Sequence, residues 1–353
     1  MGVMDEVIEY GRRSGRNLGG LLDWLGGGAR AGAEPTLALM RGDALNEPLL
    51  PTADSGGRIG AVASAITQPM VPGATPAGAL GVYGGRLAKT ANLDKLKEAE
   101  LLAAGGADNE AVRAATGWFQ GPDKQWRFEI PDDQSAVINA MPNVVDTPNG
   151  KVSVHKVGDA LSHDELFAAY PELRNVNLYK QRLDGVHGLF EGHGGDPSSW
   201  GIRMNGDPTR RGVNHSTLLH ELQHGIQERE GFATGGGEAY VNGLVEQARQ
   251  RVADLRGQAQ SRYWEVGTVD EPVMQALKQQ IDAAEAELAH LGTGGFEGYQ
   301  RLAGEIEARD VQARMDMSNR ERAAQAPYAS QGIPPDQMII RGLLNFDDLK
   351  DRL

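Results

Sequence analysis

Apolar and polar positions change period several times along this chain, and each change marks a new element. NLDKLKEAELLAAGGADNEAVRAATGWF, from Asn92, reads as a helix stopped by Gly105 and Gly106, then a second helix capped by Asp108 or Asn109. Trp118 and Phe119, a Gly-Pro-Asp turn, and alternating Trp126, Phe128 and Ile130 predict a β-hairpin whose aromatics fill a small core. KVSVHKV, NVNLYKQRL, VHGLFEG and WGIRMN are strand candidates. LSHDELFAAYPELR between them is a helix with Ser162 at its N-cap and Pro171 near its end. A further helix, STLLHELQHGIQERE, begins near Asn214, Ser216 or Thr217.

Beyond it, Leu244, Ala248, Val252 and Leu255 recur at helical spacing, as do Val273, Leu277, Ile281, Ala284 and Leu288. GTVDEP separates the two runs, which predicts an antiparallel helical hairpin inserted into the domain. A last helix, YQRLAGEIEARDVQARMDMS, returns to the core. Residues 1–90 differ from all of this. They are rich in Gly, Ala and Pro, with two short helical patterns around Val7 and Leu21, and predict an extended arm. The expected layout is an arm over 1–90, a helical and hairpin module over 91–149, a core over 150–238, the inserted hairpin over 239–294, a core helix over 295–330 and a tail over 331–353. The fold class is α+β.

Composition narrows the function. The 353 residues carry 48 acidic and 35 basic side chains, a net charge of −13, which argues against a nucleic-acid partner. With no cysteine, a metal here must be held by histidine and carboxylate. MGVMDEVIEYGRRSGRN is charged where a secretory signal would be apolar. The charge-free run from Ile59 to Gly85 is long enough to span a bilayer, but Pro69, Pro72 and Pro76 argue against a continuous spanning helix.

One motif carries chemistry. His220 and His224 in HELQH stand four residues apart, so a helix turns both imidazoles to one point, and Glu221 projects beside them. The pair supplies two ligands. Among the other histidines, His215 falls on the opposite flank, His290 ends the inserted hairpin and His163 reads as a cap, while His187 and His193 lie in glycine-bearing stretches that could approach the site and stay as outside candidates. Glu305 and Glu307 in GEIEAR are the better candidates, and their directions on a helix differ by about 200°, so only one can reach the metal. Gly304 and Ala308 are small enough for a close helix approach; placing Ala308 against the histidine helix puts Glu305 at the ion and Glu307 toward solvent or an arginine. A charged helix face partnered by Arg301, Arg309 and Arg314 is the plain alternative. Two histidines and a glutamate leave a zinc position open to water, from which Glu221 would take a proton. WGIRMN would be the edge strand that pairs with an extended peptide, GFATGGG a mobile flank of the cleft, and Tyr240 and Tyr299 weak candidates for stabilising an oxyanion.

These residues resemble a family. STLLHELQHGIQEREGFATGGG, LSHDELFAAYPELRNV and YQRLAGEIEARDVQARM together are similar to zincin-like metallopeptidase domains of phage and prophage proteins, often the large polyvalent ones. GVYGGRLAKTANLDKL, with TGWFQGPDKQWRFEI, looks like a stretch that commonly precedes such domains. The resemblance covers roughly residues 80–340. It implies a gluzincin-type fold with a small mixed sheet, Zn2+ on His220, His224 and Glu305, and Glu221 as base. It also implies a virion component or a protein delivered into the bacterial cytoplasm, with the arm and hairpin touching other virion subunits. The expected activity is zinc-dependent hydrolysis of peptide bonds. The alternatives are a non-catalytic virion or ejection protein that keeps the scaffold, and a peptidoglycan-directed enzyme, for which no wall-binding repeat is present.

Overall fold

A computed structural model of the chain describes residues 81–132, 134–139, 142–192, 196–315 and 317–340. The arm helices expected near Val7 and Leu21, the proline-rich run up to residue 80 and the tail beyond residue 340 lie outside the described residues. None of the described helices is long and apolar enough to cross a membrane. The chain divides into two compact units, and the described part of the smaller is Asn242–Thr293.

In the larger unit β1 (Val82–Gly84) is followed by α1 (Leu93–Ala104) and α2 (Asn109–Thr116). Asn92 and Asp108 cap these two helices by accepting from Lys95 and Ala111 N–H. β2 (Trp118–Gln120) and β3 (Trp126–Ile130) form the predicted hairpin, and β1 completes an antiparallel sheet of order β1-β3-β2. Trp118 packs with Leu96, Ala99 and Val112, and Trp126 and Phe128 lie against them, so these aromatics make a small core, while Phe119 and Ile130 join the main one. The reading of residues 1–90 as an arm stops short of this. Val82 and Tyr83 are fully buried, and three residues between glycines are too few to show a period in sequence.

Short β4 (Ala136–Val137) leads to β5 (Val144–Thr147) and β6 (Gly150–Lys156), then α3 (Val157–Ala160), β7 (Leu161–Ser162) and α4 (Asp164–Ala169). Ser162 does not cap α4, because it pairs in β7 with Ala136; His163 caps it, its Nδ1 accepting from Leu166 N–H. β8 (Asn177–Gln181), β9 (Gly188–Glu191) and β10 (Gly201–Asn205) complete a five-stranded mixed sheet of order β5-β6-β8-β10-β9. WGIRMN is therefore not the edge strand: β10 is parallel to β8 on one side and antiparallel to β9 on the other. The edge beside it is β9, since the chain crosses over after β8 and a local pattern cannot reveal strand order.

α5 (His215–Glu230) lies against β9 and carries the HELQH motif, with Asn214 as N-cap. It is buried nearly all round: Leu218, Leu219, Leu222 and Ile226 sit in the main core, while Glu221, Gln223 and Gln227 are buried and polar. The smaller unit follows, beginning within the next helix at Asn242. α6 (Glu238–Val266) and α7 (Pro272–Leu291) build the hairpin around Val252, Leu255, Ala259, Tyr263, Met274, Leu277, Ile281 and Ala284. Val273 is exposed and Met274 takes the seam position assigned to it, since 274, 277, 281 and 284 keep the spacing of one face.

The expected last helix is two helices, α8 (Gly295–Gln300) and α9 (Ala303–Arg314), then α10 (Asn319–Ala324). Leu302 breaks the run by bridging Ile339. α9 packs on α5. The fold is α+β.

Candidate metal centre

α5 and α9 bring His220, His224 and Glu305 together, with one ligand atom of each within 4.8 Å of the others. His224 Nε2 lies 3.2 Å from His220 Nε2 and 3.4 Å from Glu305 Oε1, and His220 Nε2 is 3.6 Å from Glu305 Oε2. A tetrahedral ion with nitrogen and oxygen ligands at about 2.0–2.1 Å spaces those atoms about 3.3–3.4 Å apart. The donor set and its spacing are compatible with zinc.

Ring orientation points the same way. Nδ1 of His220 is 2.9 Å from Gln312 Oε1, and Nδ1 of His224 is 2.9 Å from Gln227 Oε1. Each Nδ1–H donates outward, which leaves the lone pairs on the two facing Nε2 atoms. Three acceptors then converge on one small space, and such an arrangement calls for a proton or a cation among them.

Glu305 is 4% exposed and sits in the first turn of α9, where the helix dipole favours a carboxylate. Burial opposes its charge, but His224 and His220 in their protonated form, with the Tyr299 hydroxyl, bring its pKa down to about 2. Tyr299 OH donates to Oε2 at 3.0 Å, and Gly236 N–H donates to Oε1 at 3.1 Å. Burial and the neighbouring Glu305 raise the tyrosine to about 12, so it stays a donor. Tyr299 thus orients a candidate ligand, a different role from the oxyanion stabiliser expected of it.

Glu307 faces neither the His220–His224–Glu305 cluster nor solvent. It is buried and paired with Arg127 at 2.6 Å. Of the other arginines, Arg314 pairs with Glu129 and Arg309 with Gln331, not with Glu305. Gly304 is tight on two sides: an added Cβ would collide with the Thr234–Gly235 backbone, and its carbonyl accepts from Gln227 of α5. GFATGGG is seated rather than a loose flank. Phe232 and Ala233 are buried, Ala233 N–H donates to Asp123, and Gly235 leaves no room for a methyl beside Glu305 and His224.

Glu221 is the fourth residue of the group. Its carboxylate lies over Gly188, where an added Cβ would stand 2.9 Å from its Cδ, and it accepts from the Phe190 N–H of β9. Burial pushes its pKa up to about 7; Glu305 adds to the rise, while His224 and the Phe190 amide oppose it. An acid poised near neutrality beside a converging ligand set suits proton transfer.

The other histidines lie elsewhere. His215 contacts Ser135, His163 caps α4, His187 is exposed, His290 belongs to the hairpin unit, and His193 is outside the described residues. Gln227 and Gln312 were not anticipated from sequence. Gln227 stands three residues after His224, so helical spacing alone could have placed it on the same face. A groove of about 680 Å³ opens elsewhere, lined by Val152, Tyr179 and Arg203, and no site residue lines it.

Residues 81–138 match the family model described as large polyvalent protein associated domain 23. The match falls on the stretch that sequence alone likened to a segment preceding phage metallopeptidase domains, and it supports an association with phage large polyvalent proteins. It covers about a sixth of the chain and contains none of His220, Glu221, His224 and Glu305. No curated protein and no solved structure gives a significant match to the chain.

Proposed function

We propose that the chain is a zinc-dependent peptidase of the zincin-like type, working in a phage context as a virion-associated or host-delivered protein. The observation that supports it most is the convergence of His220, His224 and Glu305 with an intact, buried Glu221 beside them. A purely structural metal site has no use for a base held near neutrality. A bound zinc would act as a Lewis acid that polarises a carbonyl and acidifies water.

The chain's own residues supply the rest. β9 is hydrogen-bonded to β10 along one edge. Because Phe190 N–H turns to Glu221, the pair Phe190 and Ile202 leaves its ladder groups facing outward, as alternate residues of an antiparallel strand do. An extended peptide laid along that edge would pass over Glu221. Glu221 takes a proton from the attacking water and returns it to the departing nitrogen. Tyr299 and Gly236 N–H keep Glu305 in place.

Elemental analysis and a peptide-library assay test this together. About one zinc per chain is expected, lost in Glu305→Ala. Glu221→Gln should keep the metal and lose roughly 10²–10⁴-fold in cleavage rate. Purified protein that never takes up zinc would end the reading. Zinc uptake with no cleavage, and no difference between Glu221→Gln and the parent, would favour the second reading, a non-catalytic virion protein that keeps the scaffold.

A further inference from the structure

Glu307 lies two residues from Glu305, and its hydrogen bonds lead back to the metal centre by another route. Its Oε2 accepts from Arg127 Nε at 2.6 Å and from Tyr328 OH at 2.7 Å. Its Oε1 accepts from Gln223 Nε2 at 2.8 Å and from Gln227 Nε2 at 3.1 Å. Gln227 Nε2 also donates to Gly304 O at 2.9 Å. Both of its partners are acceptors only, so the amide nitrogen must face them and the carbonyl Oε1 must face His224 Nδ1. That ring nitrogen therefore carries the proton, and Nε2 is left with its lone pair toward His220 and Glu305.

We propose that Glu307 is a positioning residue for His224. Acting through Gln227, it fixes the tautomer and ring orientation that leave Nε2 free to bind a cation. Arg127, which compensates the buried charge of Glu307, comes from the segment that matches the polyvalent-protein family. Asp123 of the same segment grips Arg127 with two hydrogen bonds of 2.7 and 2.9 Å. A chain of contacts thus runs from Asp123 through Arg127, Glu307 and Gln227 to His224. This inference rests on reading His224 as a metal ligand.

An amide in place of the Glu307 carboxylate breaks the chain without changing its shape. With its oxygen kept toward Arg127 and Tyr328, Glu307→Gln would set an NH2 against the NH2 groups of Gln223 and Gln227. Gln227→Met removes the intermediate donor and acceptor while keeping most of the volume.

The test is long-range ¹H–¹⁵N correlation of the histidine rings in metal-free protein, beside a zinc titration of the same samples. The parent should show His224 protonated on Nδ1. Both variants should move that proton toward Nε2 and weaken zinc binding about 10- to 100-fold. His220, held separately by Gln312, should not change. Unchanged His224 signals with unchanged zinc affinity in both variants would overturn the proposal, and so would His220 and His224 shifting together, which signals a general loss of structure. Should Glu307→Gln not fold, Gln227→Met decides. Should the parent bind no zinc, the metal reading falls, while the tautomer comparison still decides whether Glu307 and Gln227 set His224.

Discussion

At the scale of single residues, Gly235 is the tightest constraint on the candidate centre. A Cβ there would stand 2.5 Å from His224 Cε1 and closer still to Glu305 Oε1. The loop cannot simply lift away, because Gly236 N–H is bonded to Glu305 and the Thr234–Gly235 backbone rests on Gly304. His224 and Glu305 must therefore give. Gly235→Ala should weaken zinc binding at least tenfold while costing the fold about 1–3 kcal/mol. Gly237→Ala, where an added Cβ meets nothing within 4 Å, is the matched control and should bind as the parent does. Equal zinc affinity for Gly235→Ala and the parent would show that the loop does not constrain the ligands.

At the scale of elements, the turn between β2 and β3 fastens the loop after α5. Asp123 in that turn holds Arg127 on one side and Ala233 N–H, at 2.7 Å, on the other. Burial alone would raise its pKa, but Arg127 and the backbone N–H groups of Ala233 and Gln125 bring it below the ordinary value of 3.8. A group depressed in the folded state stabilises the fold above its unfolded pKa and loses that contribution as pH falls through the folded value. Asp123→Asn should thus cost about 2 kcal/mol at pH 7. The gap to the parent should close as pH drops below about 4. Urea unfolding at both pH values checks this, and a gap that holds or widens in acid would contradict it. What sequence could and could not reveal divides along the same line. The HELQH pair, the helix beginning after Asn92, the cap Asp108 and the Trp118 and Trp126 pattern of the hairpin are local, and each appears where its spacing puts it. The edge position of β9, the three-residue β1 and the partners of Glu307 depend on which distant strands and helices meet. Arg127 and Glu307 are 180 residues apart, and nothing in either neighbourhood names the other.

For the molecule as a whole, the question is which parts the centre needs. The family-matched segment is bound into the larger unit by buried charge. Arg127 pairs with Glu307, Glu129 with Arg314, Asp132 with Arg322, and the Tyr83 hydroxyl donates to Asp310. Removing one side of such pairs leaves a buried charge uncompensated, at about 3–5 kcal/mol each, so residues 81–138 are not separable from the helices that carry the site. The inserted hairpin is a different case. It has its own apolar seam, and His220, Glu221, His224 and Glu305 all lie in the other unit. Val241 meets the first turn after the other cut end: an added Cβ on Gly298 would stand 2.6 Å from Val241 Cγ1, and Gly298 N–H donates to Gly294 O at 3.2 Å. A chain in which a short glycine linker joins Val241 to Gly294 should therefore fold and still take up about one zinc. If that chain keeps its secondary structure but binds no metal, the hairpin supports the centre in a way the ligand geometry does not require. If it binds zinc but no longer cleaves a peptide that the parent cleaves, the hairpin serves the substrate and not the metal.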